Sequence, residues 1–244
     1  MSLYLVDEFK SFLVVDDSID NCDLIEAYLR KPNLELTFAH SANEAFEKFK
    51  QGPFDALLLD YELPDAKGPD LLHQFRAWES EQGFSNTPCF LISGHDSVPD
   101  AHFYAAHIRK PFSRAQMIET INKWYKQTRR DGGLGASMET NIQPGSSKYI
   151  VKVERDLEDL IPNFVANRKK DVRLLGEWIQ TQNYEEIRRL GHTLKGVCAS
   201  YGFPQLGEMG KELEAHAKSQ NPTEISNIHK KMADFVENHR IEFV

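Results

Sequence analysis

The sequence predicts two modules of different class: a doubly wound α/β sheet of five parallel strands, then an antiparallel all-α bundle. Three observations predict this. From Ser11 to about Thr128, short wholly apolar runs alternate with amphipathic stretches, as expected of parallel strands covered by helices on both faces. Over about 129–148 the periodicity lapses, and Gly132-Gly133-Leu134-Gly135 and Pro144-Gly145-Ser146-Ser147 read as a flexible linker. Beyond it only helical periodicity persists, broken by short polar or Gly/Pro turns. The expected domains are therefore 10–128 and 149–244, joined by a linker at 129–148.

The elements follow in order. Phe12-Leu13-Val14-Val15 reads as a buried strand, then Ile19 to Arg30 as a helix with Leu24, Ile25 and Tyr28 on one face. Leu34 to Phe38 alternates as a second strand. Ser41 with Glu44 three residues on is a capping-box pattern that opens the next helix. Strand three is Ala56 to Leu59, followed by a Pro/Gly loop and a helix from about Pro69 to Gln82. Cys89 to Ile92 and the vicinity of His107 to Arg109 are strands four and five, and a helix from Ser113 to about Gln127 closes the module. In the second module the helical stretches are Asp156 to Asn167, Lys169 to Gln182, Tyr184 to Tyr201, Gln205 to Lys218 and Pro222 to Val236, with no convincing strand.

Composition narrows the function. The net charge of −8 argues against nucleic-acid binding, which needs a concentrated basic surface. No apolar run approaches the roughly 20 residues of a membrane span. The start, Met1 to Glu8, carries acids where a signal peptide has a basic region, so a cytoplasmic location is expected. Cys22, Cys89 and Cys198 are scattered without a CxxC pair, as reduced thiols packed like small apolar residues would be.

In an open parallel sheet, ligands bind beyond the carboxyl ends of the strands. Strand one there ends in Asp16-Asp17, strand three in Asp60, strand four in Ser93-Gly94 and strand five in Lys110-Pro111. Three gathered carboxylates repel and need a cation, and a hard ion such as Mg²⁺ satisfies them while binding a phosphoryl oxygen. Ser93 and Lys110 supply further phosphate contacts, and a cis Lys110-Pro111 peptide would aim the lysine inward. Over roughly 10–127 these residues resemble the receiver domain of two-component response regulators, a flavodoxin-like fold. The resemblance implies that Asp60 is the phosphoacceptor, that Asp16 and Asp17 position Mg²⁺ with it, and that Ser93 and Lys110 contact the phosphoryl group. Leu63-Pro64-Asp65 and Gly68 match the family's loop. Two features depart from it. Ser93 and Lys110 are 17 positions apart, short by at least about one helical turn, which predicts a stunted or absent helix between strands four and five. His107 occupies the family's aromatic switch position. Both changes fall on the face that usually transmits the signal. His95, Asp96, His102 and His107 follow no ligand spacing.

A second constellation lies on the helix from Tyr184. At about 100° per residue, Ile187, Leu190, Leu194, Val197, Cys198 and Tyr201 share one face and His192 lies nearly opposite, so its ring is expected in solvent. Arg188 and Lys195 flank it within a turn. Gly196, four residues on, costs on the order of 1 kcal/mol against alanine, and the open space it leaves lets an acceptor pocket approach. An exposed imidazole near neutrality is a nucleophile. His192-Thr193-Leu194-Lys195-Gly196, with Gly202 beyond, is similar to the histidine-containing phosphotransfer (HPt) motif. Over about 150–240 this implies a four-helix bundle in which His192 carries a phosphoryl group supported by Lys195 and Gly196.

Neither half contains GxxxxGK[ST] or a Gly-rich phosphate loop after a strand. The expectation is a phosphoryl carrier without an ATP site, working with a sensor histidine kinase and with other receiver or HPt proteins of a phosphorelay. Two rival readings stand beside it. In one, phosphorylation of Asp60 controls access to His192. In the other the chain is a phosphate sink, with Glu62 and His95 hastening hydrolysis.

Overall fold

The computed structural model describes residues 10–94, 103–128 and 149–244. The chain divides into two units, with the boundary between Gly132 and Gly133. In the first, five parallel strands stand in the order β2-β1-β3-β4-β5: β1 Ser11–Val15, β2 Glu35–Ala39, β3 Ala56–Asp60, β4 Cys89–Ser93 and β5 Ala106–Arg109. Helices α1 (Ile19–Leu29) and α4 (Arg114–Thr128) pack together, as do α2 (Ala42–Phe49) and α3 (Gly68–Gln82). Alternation along the strands divides the core between the two helical layers. Leu13, Val15, Leu57, Leu59, Cys89 and Leu91 pack with Ala45, Phe49, Leu71 and Phe75 of α2 and α3.

The register positions the acids. Val15 is level with Leu59, Asp60 with Ile92 and Ser93 with Arg109, so Asp16, Asp60, Ser93 and Lys110 all emerge at the same carboxyl edge. Two close packings hold the turn after β3. A Cβ on Gly68 would stand 2.3 Å from the carbonyl oxygen of Asp60, so α3 can start there only with glycine. Asp65 accepts from the Ala42 and Asn43 amides at 2.7 and 3.0 Å, tying the same loop to the amino end of α2. The capping box forms with one change: Ser41 caps the Glu44 amide at 3.2 Å, but the Glu44 carboxylate accepts from the amide of His40, not of Ser41, at 2.7 Å.

Among its described residues the second unit holds four α-helices: α5 Ile161–Gln180, α6 Tyr184–Val197, α7 Pro204–Lys218 and α8 Pro222–Asn238. α5 packs on α6 and α8, and α7 on α6 and α8, a closed antiparallel bundle. Two expectations are corrected. The stretches expected as Asp156 to Asn167 and Lys169 to Gln182 are a 3-10 turn at Arg155–Leu160 and a single helix α5. Pro162 sits in the first turn of α5, where its missing amide costs nothing. Arg168 runs through the expected break because it is buried with its guanidinium over the Phe164 ring, 4.7 Å from the centroid, and bonded to Asp171 at 2.8 Å. Strands are also present: β6 Ile150–Val153 pairs in parallel with β7 Arg240–Phe243. Gly202, at φ +87°, lies against the Lys152 carbonyl, 2.3 Å from where a Cβ would stand, so the turn after α6 seats this ribbon.

The expected linker, and His95, Asp96 and His102 with most of the segment between β4 and β5, lie outside the described residues. Among those residues no helix is long and apolar enough to cross a membrane. Cys22, Cys89 and Cys198 are buried; burial pushes the Cys22 thiol well up and that of Cys89 up to about 12.

Candidate functional site

In the first unit, the ligand oxygens of Asp16, Asp17 and Asp60 all lie within 4.8 Å of one another. Asp16 is fixed by its own loop. Its Oδ1 accepts from the Ser18 amide at 2.9 Å and from Asn21 Nδ2 at 3.1 Å, and its Oδ2 accepts from the same Nδ2 at 3.0 Å. Ser18 also caps α1 through the Asn21 amide at 3.4 Å, so helix start and acid are built from one turn. Asp60 Oδ1 accepts from the Tyr61 amide at 2.9 Å. Lys110 Nζ stands between the acids, 3.1 Å from Asp16 Oδ2 and 3.0 Å from Asp60 Oδ1. Its peptide to Pro111 is cis, and its amide donates to the Ser93 carbonyl at 2.8 Å. Burial opposes the ammonium charge, yet Asp16 and Asp60 outweigh it and hold the pKa above the ordinary lysine value.

Whether this group fits a hard divalent cation is a question of donors and span. All three donors are carboxylate oxygens, the set Mg²⁺ prefers, and opposite oxygens across an octahedral Mg²⁺ lie about 4.2 Å apart. The observed spread of up to 4.8 Å is of that order. Asp17, more exposed than Asp16 or Asp60, leaves an open side for water and for an incoming phosphoryl group. Ser93 is buried at the end of β4, beside this group. His107 is half-buried in β5.

In the second unit, Ile187, Leu190, Leu194, Val197, Cys198 and Tyr201 are all buried, as projected. The His192 ring, expected in solvent, is instead half-buried: its side chain is 28 % exposed and Nδ1 lies 3.8 Å from Glu214 Oε1 of α7. The cause is the closeness of the two helices. A Cβ on Gly191 would fall 2.5 Å from the Glu214 amide nitrogen, and one on Gly210 would fall 2.6 Å from the Leu194 Cβ. Helix backbones that close bring α7 side chains up beside the imidazole. Lys195 Nζ is 3.4 Å from Glu214 Oε2, and Lys218 Nζ is 2.7 Å from Oε1. The imidazole of His192 leads in holding the Glu214 carboxyl well below the usual carboxylate range. Burial opposes this, and the ammonium groups of Lys218 and Lys195 reinforce it. Arg188, expected beside His192, is bonded to Glu185 at 2.8 Å. Gly196 is half-buried one turn along.

Sequence reasoning missed Glu214, Gly191, Gly210 and Lys218. The signal was present in Leu206-Gly207-Glu208-Met209-Gly210, whose glycines three apart mark a helix face open to close approach. Which helix would approach it was not readable from that spacing.

Residues 12–122 match the response regulator receiver domain, and residues 153–238 match the Hpt domain. The chain is 22 % identical over 224 residues to the sensor protein GacS of Pseudomonas syringae pv. syringae, spanning 86 % of this chain and 25 % of that protein. It is 24 % identical to the sensory/regulatory protein RpfC of Xanthomonas campestris pv. campestris, over 82 % of this chain and 30 % of that one. It is 23 % identical to the aerobic respiration control sensor protein ArcB of Escherichia coli K12, over 83 % and 27 %. The chain thus spans about a quarter to a third of the length of these relatives. Among solved structures, a CheY-like receiver domain protein from Methanospirillum hungatei JF-1 is 25 % identical, covering 51 % of this chain and all of that one, with a TM-score of 0.43. The chain thus carries a response regulator receiver domain at 12–122 followed by an Hpt domain at 153–238.

Proposed function

We propose that this chain is a phosphoryl carrier in a phosphorelay, with Asp60 and His192 as its two acceptors and no ATP chemistry of its own. The observation that carries the reading is the presence, in one chain, of an acid cluster bridged by a buried lysine and of an imidazole backed by a buried glutamate. In the receiver, an Asp60 carboxylate oxygen attacks the phosphorus of a phosphohistidine in line. The P–O bond forms as the P–N bond breaks, and the imidazole leaves as the neutral base after taking up a proton. Asp16, Asp17 and Asp60 would hold a Mg²⁺ ion, which supplies charge neutralisation at the phosphoryl oxygens when bound. Lys110 and the Ser93 hydroxyl orient and neutralise the remaining phosphoryl oxygens. In the Hpt domain, Glu214 draws the proton to Nδ1 of His192, which leaves the Nε2 lone pair for phosphorus. Lys195, and the room that Gly196 leaves, serve the arriving group.

The working division is a receiver at 10–128 and an Hpt domain at 149–244. The donor is a sensor histidine kinase or a phosphorylated Hpt protein, and exchange with receivers on separate proteins is favoured over transfer within the molecule. A soluble, cytoplasmic setting suits this chemistry, since its partners are cytoplasmic domains. The test is phosphotransfer profiling with wild type, Asp60→Asn and His192→Gln. Asp60→Asn should abolish base-labile aspartyl phosphate formed from acyl phosphate and Mg²⁺. His192→Gln should abolish acid-labile phosphohistidine. Persistence of both species in both variants would refute the assignment.

A further inference from the structure

We propose that Lys218 is a positioning residue for phosphoryl transfer at His192, acting through the carboxylate of Glu214. The inference rests on the reading of His192 as a phosphoryl carrier. Glu214 is the hub: its side chain is only 10 % exposed, and three groups from two helices converge on it. Oε2 takes Lys195, and Oε1 is shared by His192 Nδ1 at 3.8 Å and Lys218 Nζ at 2.7 Å. Lys218 is thus the tightest contact of the very oxygen that faces the imidazole. Glu214 and Lys218 are four apart on α7, with the acid toward the amino end, the favourable order on a helix. A carboxylate oxygen has lone pairs for two donors. With one committed to Lys218, one remains for Nδ1, which at 3.8 Å lies just beyond hydrogen-bond length.

Three other cations on α6 and α7 also have carboxylate partners. Arg188 bonds Glu185 at 2.8 Å, Arg189 lies 3.5 Å from Glu186, and Lys211 lies 3.9 Å from Glu208. The Lys218 side chain is 58 % exposed, so replacing it opens no cavity. What replacement removes is the anchor. Glu214 is then free to swing toward Lys195, the ring loses its orienting acceptor, and Nε2 is presented in the nucleophilic tautomer less often.

The experiment uses the full chain carrying Asp60→Asn, so that phosphoryl uptake reports His192 alone, with phosphoramidate as donor. The P–N bond of phosphoramidate breaks, a bond from Nε2 to phosphorus forms, and ammonia leaves. Lys218→Met should slow phosphohistidine formation by about three- to tenfold, the range expected of a coupled neighbour. It should also move the ¹⁵N resonances of the His192 ring away from the Nδ1–H tautomer. Lys218→Arg should restore both. In a Glu214→Gln background, Lys218→Met should add no further loss. An equal slowing in both backgrounds would overturn the proposal, because Lys218 would then act on the phosphoryl group directly. An unchanged rate and ring spectrum in Lys218→Met would overturn it too. If phosphoramidate leaves His192 unmodified with Lys218 intact, the failure belongs to the carrier assignment instead.

Discussion

At the scale of single residues, the two candidate acceptors are set up by opposite means. Asp60 is a buried carboxylate with an ammonium 3.0 Å away, while His192 is a half-buried imidazole with a buried carboxylate 3.8 Å from its Nδ1. The second arrangement has a pH signature. Because the folded pKa of Glu214 is depressed, its contribution to stability is fully present above the ordinary carboxylate pKa of about 4.3 and is lost as pH falls through the folded value. Glu214→Gln should therefore cost about 1 kcal/mol at neutral pH, the upper range for partly exposed pairs, and the difference from wild type should shrink as pH drops below about 4. Urea unfolding of both proteins across pH 3–7 measures it. A difference that stays constant across that range would show that the carboxylate charge is not what stabilises the site.

At the scale of elements, backbone proximity does what side-chain chemistry alone cannot. Gly68 lets α3 begin against the carbonyl of Asp60, and Gly191 with Gly210 lets α6 and α7 close on one another. Gly210→Ala tests the second case. Its methyl would meet the Leu194 Cβ at 2.6 Å and the Lys195 amide nitrogen at 2.7 Å, both parts of a helix that cannot yield locally. The helices must separate, at a cost of about 1–3 kcal/mol for overpacking, and Glu214 moves away from the imidazole with them. The expected result is a lower melting temperature together with slower phosphohistidine formation. Retention of the wild-type rate would mean that the α6–α7 approach is not required at His192.

At the scale of the whole molecule, the chain is two compact units, and the two candidate sites belong to different units. The acid cluster lies wholly in the first. Adding Mg²⁺ should therefore raise the unfolding transition of the receiver and leave that of the bundle in place. At 100 times the dissociation constant the gain is about 2.7 kcal/mol, and chelation should reverse it. Calorimetry of the wild-type chain with Mg²⁺ or a chelator resolves this. A shift of both transitions together would mean that the units unfold as one.

How much of this was legible in the sequence depends on the range of the interaction. The five strands and their terminal residues were readable because each is a local run, and parallel topology sends every carboxyl end to the same edge. The helix cap at Ser41 was readable too, and it bonds the amide three residues on, whereas the same bonds of Ser18, Asn183 and Asn221 were not read. The short polar turn expected between Asn167 and Lys169 does not form, because Arg168 is buried against Phe164 and Asp171, partners that the local polar run does not reveal. The ribbon of Ile150–Val153 with Arg240–Phe243 was missed because two four-residue strands carry almost no periodicity and find each other only across the whole bundle. His192 shows the division most clearly. Helical periodicity alone put it on the side away from the core, and the structure keeps it off the core. That it rests against Glu214 was decided by tertiary structure, because the glycines that let α6 and α7 meet lie on both helices and act only once these are side by side.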